Sequence, residues 1–282
     1  MTVIIGMLMV IGAILGGYLI EEGNVALLLN PPELLIIFGS AFGSLVVGSP
    51  MKVVKGVISN VTSILKEGGH TKQDYLEMLA LLSIVFSKVR KEGLISIEAD
   101  VEEPNKSPMF SKYKSVISNH HAMRFICDNL KVIITTNMPP HELADLLDID
   151  IEANANEEIL PAMALQKMGD ALPGFGIVAA VLGVVLTMEK ISEPPAILGH
   201  CIGSALVGTF LGVLLCYGFV GPIATNLELK AKEGEIIFYV IKTALVAFVG
   251  GAAPQIAVES GRRAIPGHDR PTFSELENAV RK

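Results

Sequence analysis

Tryptophan is absent, so any aromatic girdle at a membrane boundary must rest on five Tyr and eleven Phe alone. Cysteine is scarce: Cys127, Cys201 and Cys216 form an odd set with no CxxC spacing, which argues against a disulfide framework or a zinc site. Two of the three fall inside an apolar run and read as small apolar residues. His120 and His121 lack the neighbouring Cys or His that a metal site needs, and read as a surface pair. No Ser/His/Asp set or paired carboxylates stand out, so nothing supports an enzyme active site. Residues 174–179 fit the dinucleotide spacing GxGxxA, but no strand precedes them and they open an apolar run, which removes the context that motif requires. A net charge of −7 gives no reason to expect nucleic-acid binding. Strand-rich regions and internal repeats are also missing.

What the chain has in quantity is apolar length. Of 282 residues, 51% are apolar and 18% charged, with a mean hydropathy of +0.53. Four runs carry no Asp, Glu, Lys or Arg: residues 3–20, 34–47, 171–188 and 197–223. The first, as a helix, spans roughly 27 Å, close to the thickness of a bilayer's hydrocarbon core. The second is short at roughly 21 Å, so its helix must draw on flanking residues. A charge at the bilayer centre costs on the order of 3 kcal/mol even on gentle insertion scales, so four such runs mark four membrane spans. No Lys or Arg precedes the first run, which argues against a cleaved signal peptide.

The basic residues orient these spans. Residues 21–33 hold three acids and no base, and residues 189–196 hold one Lys. Residues 49–170 hold 13 Lys and Arg and the tail after Thr225 holds 8, so 21 of the 22 lie on one side. By the positive-inside tendency that side, with both termini, is cytoplasmic. Residues 236–249 are strongly apolar but contain Lys242, and their pairs Ile236/Ile237, Val240/Ile241, Ala244/Leu245 and Phe248/Val249 have the spacing of a helix packed on protein. A fifth span there would also carry Arg262, Arg263 and Arg270 outside.

The expected architecture is therefore an all-α integral membrane protein. Spans 1 and 2 occupy 1–48, a helical cytoplasmic domain 49–170, spans 3 and 4 171–225, and a cytoplasmic C-terminal tail 226–282. In the middle region Leu76, Leu79, Leu82, Val85, Phe86 and Val89 form one helix face that stops near Gly93. Breaks are expected at residues 102–104 and 137–140. Residues 145–158 read as a solvated acidic helix face. Thr272 and Glu275 fit a capping box after Pro271 and predict a short last helix.

Within the spans, small residues recur at helical spacing: Gly12/Gly16, Gly39/Gly43, Gly199/Gly203 and Gly208/Gly212. Such pairs let helix backbones approach closely in lipid, within one chain or between chains. Polar groups are few: Thr187, Ser204, Thr209 and Tyr217, with Asp170 and His200 at the ends. No carboxylate is expected at mid-depth. Proton relays usually need a titratable group there, so a chain serving ion flow would take its carboxylate from a partner. Pro173 and Pro222 stand at the cytoplasmic ends of the last two spans, where proline opens or kinks a helix.

At residues 172–185 (LPGFGIVAAVLGVV) the chain resembles the third span of the MotA family, the stator proteins of the flagellar motor. Residues 207–219 (VGTFLGVLLCYGF), followed by Gly221-Pro222, look like the fourth, and residues 253–262 and 270–277 resemble the tail. The resemblance covers essentially the whole chain. It implies a multi-pass protein of the bacterial inner membrane that forms a homo-oligomeric ring, five copies around a dimeric partner, MotB. The partner supplies the ion-binding aspartate and the peptidoglycan anchor, and ion passage drives the ring against the rotor protein FliG.

Residue by residue, the resemblance places rotor-facing charges at Arg90 and Glu98, within residues 89–98. From sequence alone, the same two charges read as part of an ordinary solvated surface. It places functional prolines at Pro173 and Pro222 and an ion-path hydroxyl at Thr209. Gly176, Gly183, Gly208 and Gly212 become the candidate packing positions. Sodium-driven relatives carry a hydroxyl where this chain has Ala180. A methyl cannot supply the oxygen a metal cation takes, so the expected coupling ion is the proton, with no cofactor or metal. Gly174 stands where many relatives have Ala, which gives a more flexible helix start. Two rivals remain: an energiser of the ExbB/TolQ type, opposed by four spans and the tail motifs, and a self-contained ion carrier, opposed by the missing carboxylate.

Overall fold

The computed structural model describes residues 2–64, 69–136 and 138–281. In chain order the helices are α1 (Thr2–Ile20), α2 (Val25–Leu28), α3 (Pro31–Gly48), α4 (Met51–Ile64), α5 (Lys72–Glu92), a 3-10 turn (Leu94–Ile97), α6 (Glu98–Glu102), α7 (Pro108–Ser111), α8 (Lys114–Ser118), α9 (His120–Thr135), α10 (Pro140–Glu189), α11 (Pro195–Leu214), a π-turn (Leu215–Val220), α12 (Gly221–Val249), α13 (Pro254–Ala264) and α14 (Phe273–Arg281). Among the described residues there is no strand. Four helical stretches are long and apolar enough to cross a membrane: Thr2–Ile20, Val25–Gly48, Pro140–Glu189 and Pro195–Val249. The all-helical, four-span expectation stands. Compactness divides the chain into two units, Met1–Gly68 with Glu158–Leu229, and Gly69–Glu157 with Lys230–Lys282.

The first unit is built for a solvent that is not water. Nothing on α1 is buried, and it is apolar all round, with Leu8 62% exposed. A helix of that kind finds its favourable surroundings in lipid or against other spans. The second span begins before its uncharged run: α3 starts at Pro31, a residue pre-set for the first helical turn. Its buried residues, Glu33, Ile37, Ala41 and Leu45, recur every fourth position and form one stripe. That stripe belongs to a core shared with Leu172 and Ala179 of α10 and Val207 and Leu211 of α11. On α4, Val54, Val57 and Ile64 join the same core. Gly56 lets α4 approach α10 closely, since a Cβ there would come within 3.0 Å of Pro161 Cγ.

The second unit has a conventional apolar core. The face of α5 expected from its spacing is buried, including Leu79, Leu82, Val85 and Phe86. Thr71 and Asp74 close a capping box at the start of α5, and Gly93, at φ +87°, ends it. A left-handed φ is open to glycine at little cost, which is why the chain turns there. Phe86 stacks on Phe248 at 4.3 Å, and Phe125 meets Phe238 edge-on at 5.1 Å. The apolar pairs of residues 236–249 face inward as their spacing required: Ile237, Val240, Ile241, Ala244 and Leu245 are buried on α12. Lys242 turns to an ion pair with Asp148 at 2.5 Å. The break at 102–104 falls where α6 ends, and the break near 137–140 lies between α9 and α10, although Asn137 itself is outside the described residues. The acids of residues 145–158 are mostly exposed along α10. The Thr272–Glu275 capping box forms in both directions, at 2.6 and 3.3 Å.

Candidate functional site

The last two spans meet through glycine. A Cβ at Gly176 would lie 2.7 Å from the Gly208 carbonyl oxygen, and one at Gly212 would lie 2.6 Å from the Leu172 carbonyl oxygen. At Gly183 the obstacle is the Ala205 methyl at 2.7 Å. Gly176, Gly183, Gly208 and Gly212 thus form a backbone-to-backbone seam between α10 and α11. The other spaced glycines differ: Gly12, Gly16, Gly39, Gly43, Gly199 and Gly203 have nothing within 4 Å of a built Cβ. Their notches open on the outside of this chain.

The two prolines do not open helices from loops. Pro173 lies inside the 50-residue α10. It has no N–H to offer the Gly169 carbonyl, which leaves a weak point in the helix ladder. Pro222 is the second residue of α12 and follows the six-residue π-turn. In an α-helix its ring would press on the carbonyl four residues back, at Gly218. The chain widens before that clash, and the Gly221 N–H bonds to the Cys216 oxygen five residues back. Ala180 is half-buried, with its backbone N where a Gly208 Cβ would come within 3.1 Å. Thr209, also half-buried, follows Gly208 and is turned about 100° from it around α11. Thr187 donates to the Gly183 carbonyl at 2.8 Å and is satisfied within its own helix.

Glu33 corrects the sequence reading. Its position among the acids of residues 21–33 suggested a loop, and no carboxylate was expected at depth. In the structure Glu33 is in the first turn of α3, 6% exposed, at the head of the buried stripe. Its Oε1 accepts from Asn30 Nδ2 at 3.2 Å, and the same amide donates to the Ser204 hydroxyl of α11. Its Oε2 has no partner among the described residues and lies 2.8 Å from where a Cβ on Gly208 would be. The signal that could have found it is the four-residue period: Leu45, Ala41 and Ile37 lead back to position 33.

In the second unit, Arg90 and Glu98 are both exposed. Arg90 stands in the last turn of α5 and reaches the Gly251 carbonyl at 3.4 Å. Glu98 opens α6, and no ion pair holds it among the described residues. Between them Ile95 is 77% exposed. Asp100 braces this corner, accepting from Lys88 at 2.8 Å and Ser107 at 2.6 Å. Burial pushes the Asp100 carboxyl up, but those two hydrogen bonds outweigh it and hold the group below its ordinary value. The result is an exposed surface presenting both signs of charge beside the apolar side chains of Leu94 and Ile95. No group of three or more His, Cys, Asp or Glu able to hold a metal occurs among the described residues.

Residues 4–93 match the family model for the motility protein A N-terminal region, and residues 117–237 match that of the MotA/TolQ/ExbB proton channel family. Motility protein A of Salmonella typhimurium is 41% identical over 281 residues, covering 100% of this chain and 95% of the relative. Motility protein A of Escherichia coli matches at the same identity and coverage. Chemotaxis protein LafT of Vibrio parahaemolyticus is 36% identical over 97% of this chain and 96% of its own length. The C. jejuni MotAB structure aligns over 96% of this chain and 98% of the other, with a TM-score of 0.78 at 20% identity. The Bacillus subtilis MotAB stator complex aligns over 95% of this chain and 96% of the other, with a TM-score of 0.73 at 23% identity. Carried along its full length by such relatives, the chain belongs to the motility protein A family.

Proposed function

We propose that this chain is the ring subunit of a flagellar stator, which with a MotB-type partner converts proton flow into torque on the rotor protein FliG. The observation that carries this is 41% identity to motility proteins A over 281 residues, which covers the whole chain. In this reading the partner brings the aspartate that binds the ion and the anchor to peptidoglycan. Several copies of this chain, expected to be five, surround two of the partner's helices, with Thr209 and Ala180 toward the ion path. The outward notches at Gly12, Gly16, Gly39 and Gly43 suit contact between neighbouring copies. The helix faults at Pro173 and Pro222 give the last two spans places to bend when the ion-binding group changes charge. Arg90 and Glu98 meet complementary charges on the rotor, which sets orientation and register more than affinity.

In this reading the chain lies in the inner membrane with both termini in the cytoplasm and works as a mechanical subunit, not as an enzyme. The ExbB/TolQ-type reading shares the family model of residues 117–237, but the motility protein A model over residues 4–93 favours the motor. Deleting the gene tests the function. Cells should build flagella and fail to rotate them, and the intact gene should restore rotation; swimming in the deletion strain, with no second stator set, defeats the proposal. Speed should collapse with a protonophore and ignore external sodium. A motor that tracks sodium would show that Ala180 does not report the ion.

A further inference from the structure

Glu33 is the largest unexplained feature of the membrane-spanning unit. Buried polar groups are nearly always hydrogen-bonded, and an orphan asks for a reason. Here one carboxyl oxygen is paired to Asn30 and the other, Oε2, is fully buried with no partner among the described residues. Its depth follows from its neighbour. Gly208 stands 13 residues into α11, about 20 Å along the helix axis from Pro195. That is near the middle of the uncharged run 197–223.

The charged and titratable groups of the surrounding elements are few. Within the uncharged runs they are Tyr18 on α1, His200 and Cys201 on α11, and Cys216 and Tyr217 in the π-turn, with Glu21, Glu22, Lys167, Asp170, Glu189 and Lys190 flanking those runs. None of them hydrogen-bonds or ion-pairs with Glu33 among the described residues. An ionised carboxylate in such a place costs several kcal/mol, and a neutral acid far less. Yet the Asn30 amide is set to hold the ionised form, so neither state is locked. Replacing Gly208 by any larger residue would fill the slot that Oε2 occupies.

We propose that Glu33 is a second proton-carrying carboxyl of the stator, contributed by the ring subunit itself, which exchanges its proton during the ion-driven cycle. The step is a proton transfer alone. The O–H bond of the Glu33 acid breaks, the proton passes to a water of the ion path, and the carboxylate left behind keeps its hydrogen bond from Asn30. Reprotonation reverses it. The inference rests on the stator reading given above.

Gln is the informative replacement, because it copies the neutral acid in shape and cannot ionise. The E33Q chain, expressed with its partner in the deletion strain, should be recruited to motors in normal numbers, counted with a fluorescent tag. Its torque should fall on the order of a hundredfold, the scale of a positioned proton-transfer group, and E33D should keep part of it. Wild-type torque from E33Q overturns the proposal and leaves Glu33 a neutral packing group. If E33Q is not recruited, infrared difference spectra of the purified wild-type and E33D complexes decide. A carboxylic-acid C=O band that responds to pH and moves in E33D supports exchange, and the lack of one overturns it. A failure of the stator reading shows separately, as a wild-type gene that does not restore rotation, and the proposal falls with it.

Discussion

Gly212→Ala should damage the membrane unit far more than its single added methyl suggests. The new Cβ would meet the Leu172 carbonyl oxygen at 2.6 Å, Gly176 Cα at 2.9 Å and Gly176 N at 3.2 Å. All three are backbone atoms, so no side-chain rotation relieves the clash. Restoring ordinary contact at 3.4 Å requires α10 and α11 to part by roughly 0.8 Å at this point. A gap of that size forfeits about a quarter to a half of the dispersion well for each contact along the seam. Overpacking of this kind costs about 1–3 kcal/mol, enough to lower the folded-to-unfolded ratio by roughly five- to thirtyfold or more. Gly174→Ala supplies the matched control: it adds the same methyl to α10 itself with nothing within 4 Å. The assay is unfolding of the purified chain in detergent by heat or by a denaturing detergent. Gly212→Ala should unfold well before the native chain, and Gly174→Ala with it or later. Equal midpoints for the two variants would refute the claim that this seam is closed by backbone contact. Gly176→Ala combined with Gly212→Ala should cost less than the sum of the two, because the two methyls press on one gap.

Three further outcomes follow from the same geometry. Arg90→Glu should abolish or strongly slow rotation with stability within about 0.5 kcal/mol of the native chain, since its one hydrogen bond is exposed; a compensating reversal on the rotor should restore motion, and loss of folding would refute the surface role. Glu259 is held down to about 2, first by hydrogen bonding from Arg262, against its burial, and then by Arg263. A depressed carboxyl stabilises the fold above its ordinary value near 4.5 and loses that contribution as pH falls toward 2, on the order of 3 kcal/mol at most. The native chain's thermal midpoint should therefore drop between those pH values while that of Glu259→Gln, already lower, changes less. Pro222→Ala should let the π-turn relax toward α-helix, keeping or raising thermal stability while torque falls; unchanged torque would remove Pro222 from the mechanism.

Much of the fold was legible because lipid and water impose different periods. Uncharged runs announced the four long apolar helices, and the paired apolar residues of 236–249 announced a helix face packed on protein, where Lys242 pairs with Asp148. One capping box, at Thr272 and Glu275, and Gly93 marked helix ends by local chemistry alone, whereas the box at Thr71 and Asp74 went unread. What could not be read is which glycines meet a neighbour. Gly39/Gly43 and Gly208/Gly212 have the same spacing, yet only the second pair closes a seam within this chain. Spacing records a notch and not its occupant, which depends on tertiary placement. The π-turn was equally hidden, because proline states where an α-helix fails and not how the chain accommodates it.

Glu33 shows why counting charges is a biased way to find what lies inside a membrane. The count ends a span at the first carboxylate, so it assigns every acid near a boundary to water. The second run was short by several residues for a full crossing, and that deficit was itself information: the helix had to extend into its flanks. Extending it toward Pro31 makes Glu33 helical, and the stripe Ile37, Ala41, Leu45 then fixes which way its side chain points. A glycine on the facing helix completes the argument, since only an absent side chain at Gly208 leaves room for a carboxyl. Gly208→Ala should accordingly displace the Glu33 carboxyl as well as strain the helix pair. If the carboxyl matters only for packing, Gly208→Ala and Gly212→Ala should lose torque in proportion to lost stability. If it carries protons, Gly208→Ala should lose more torque than Gly212→Ala at equal stability.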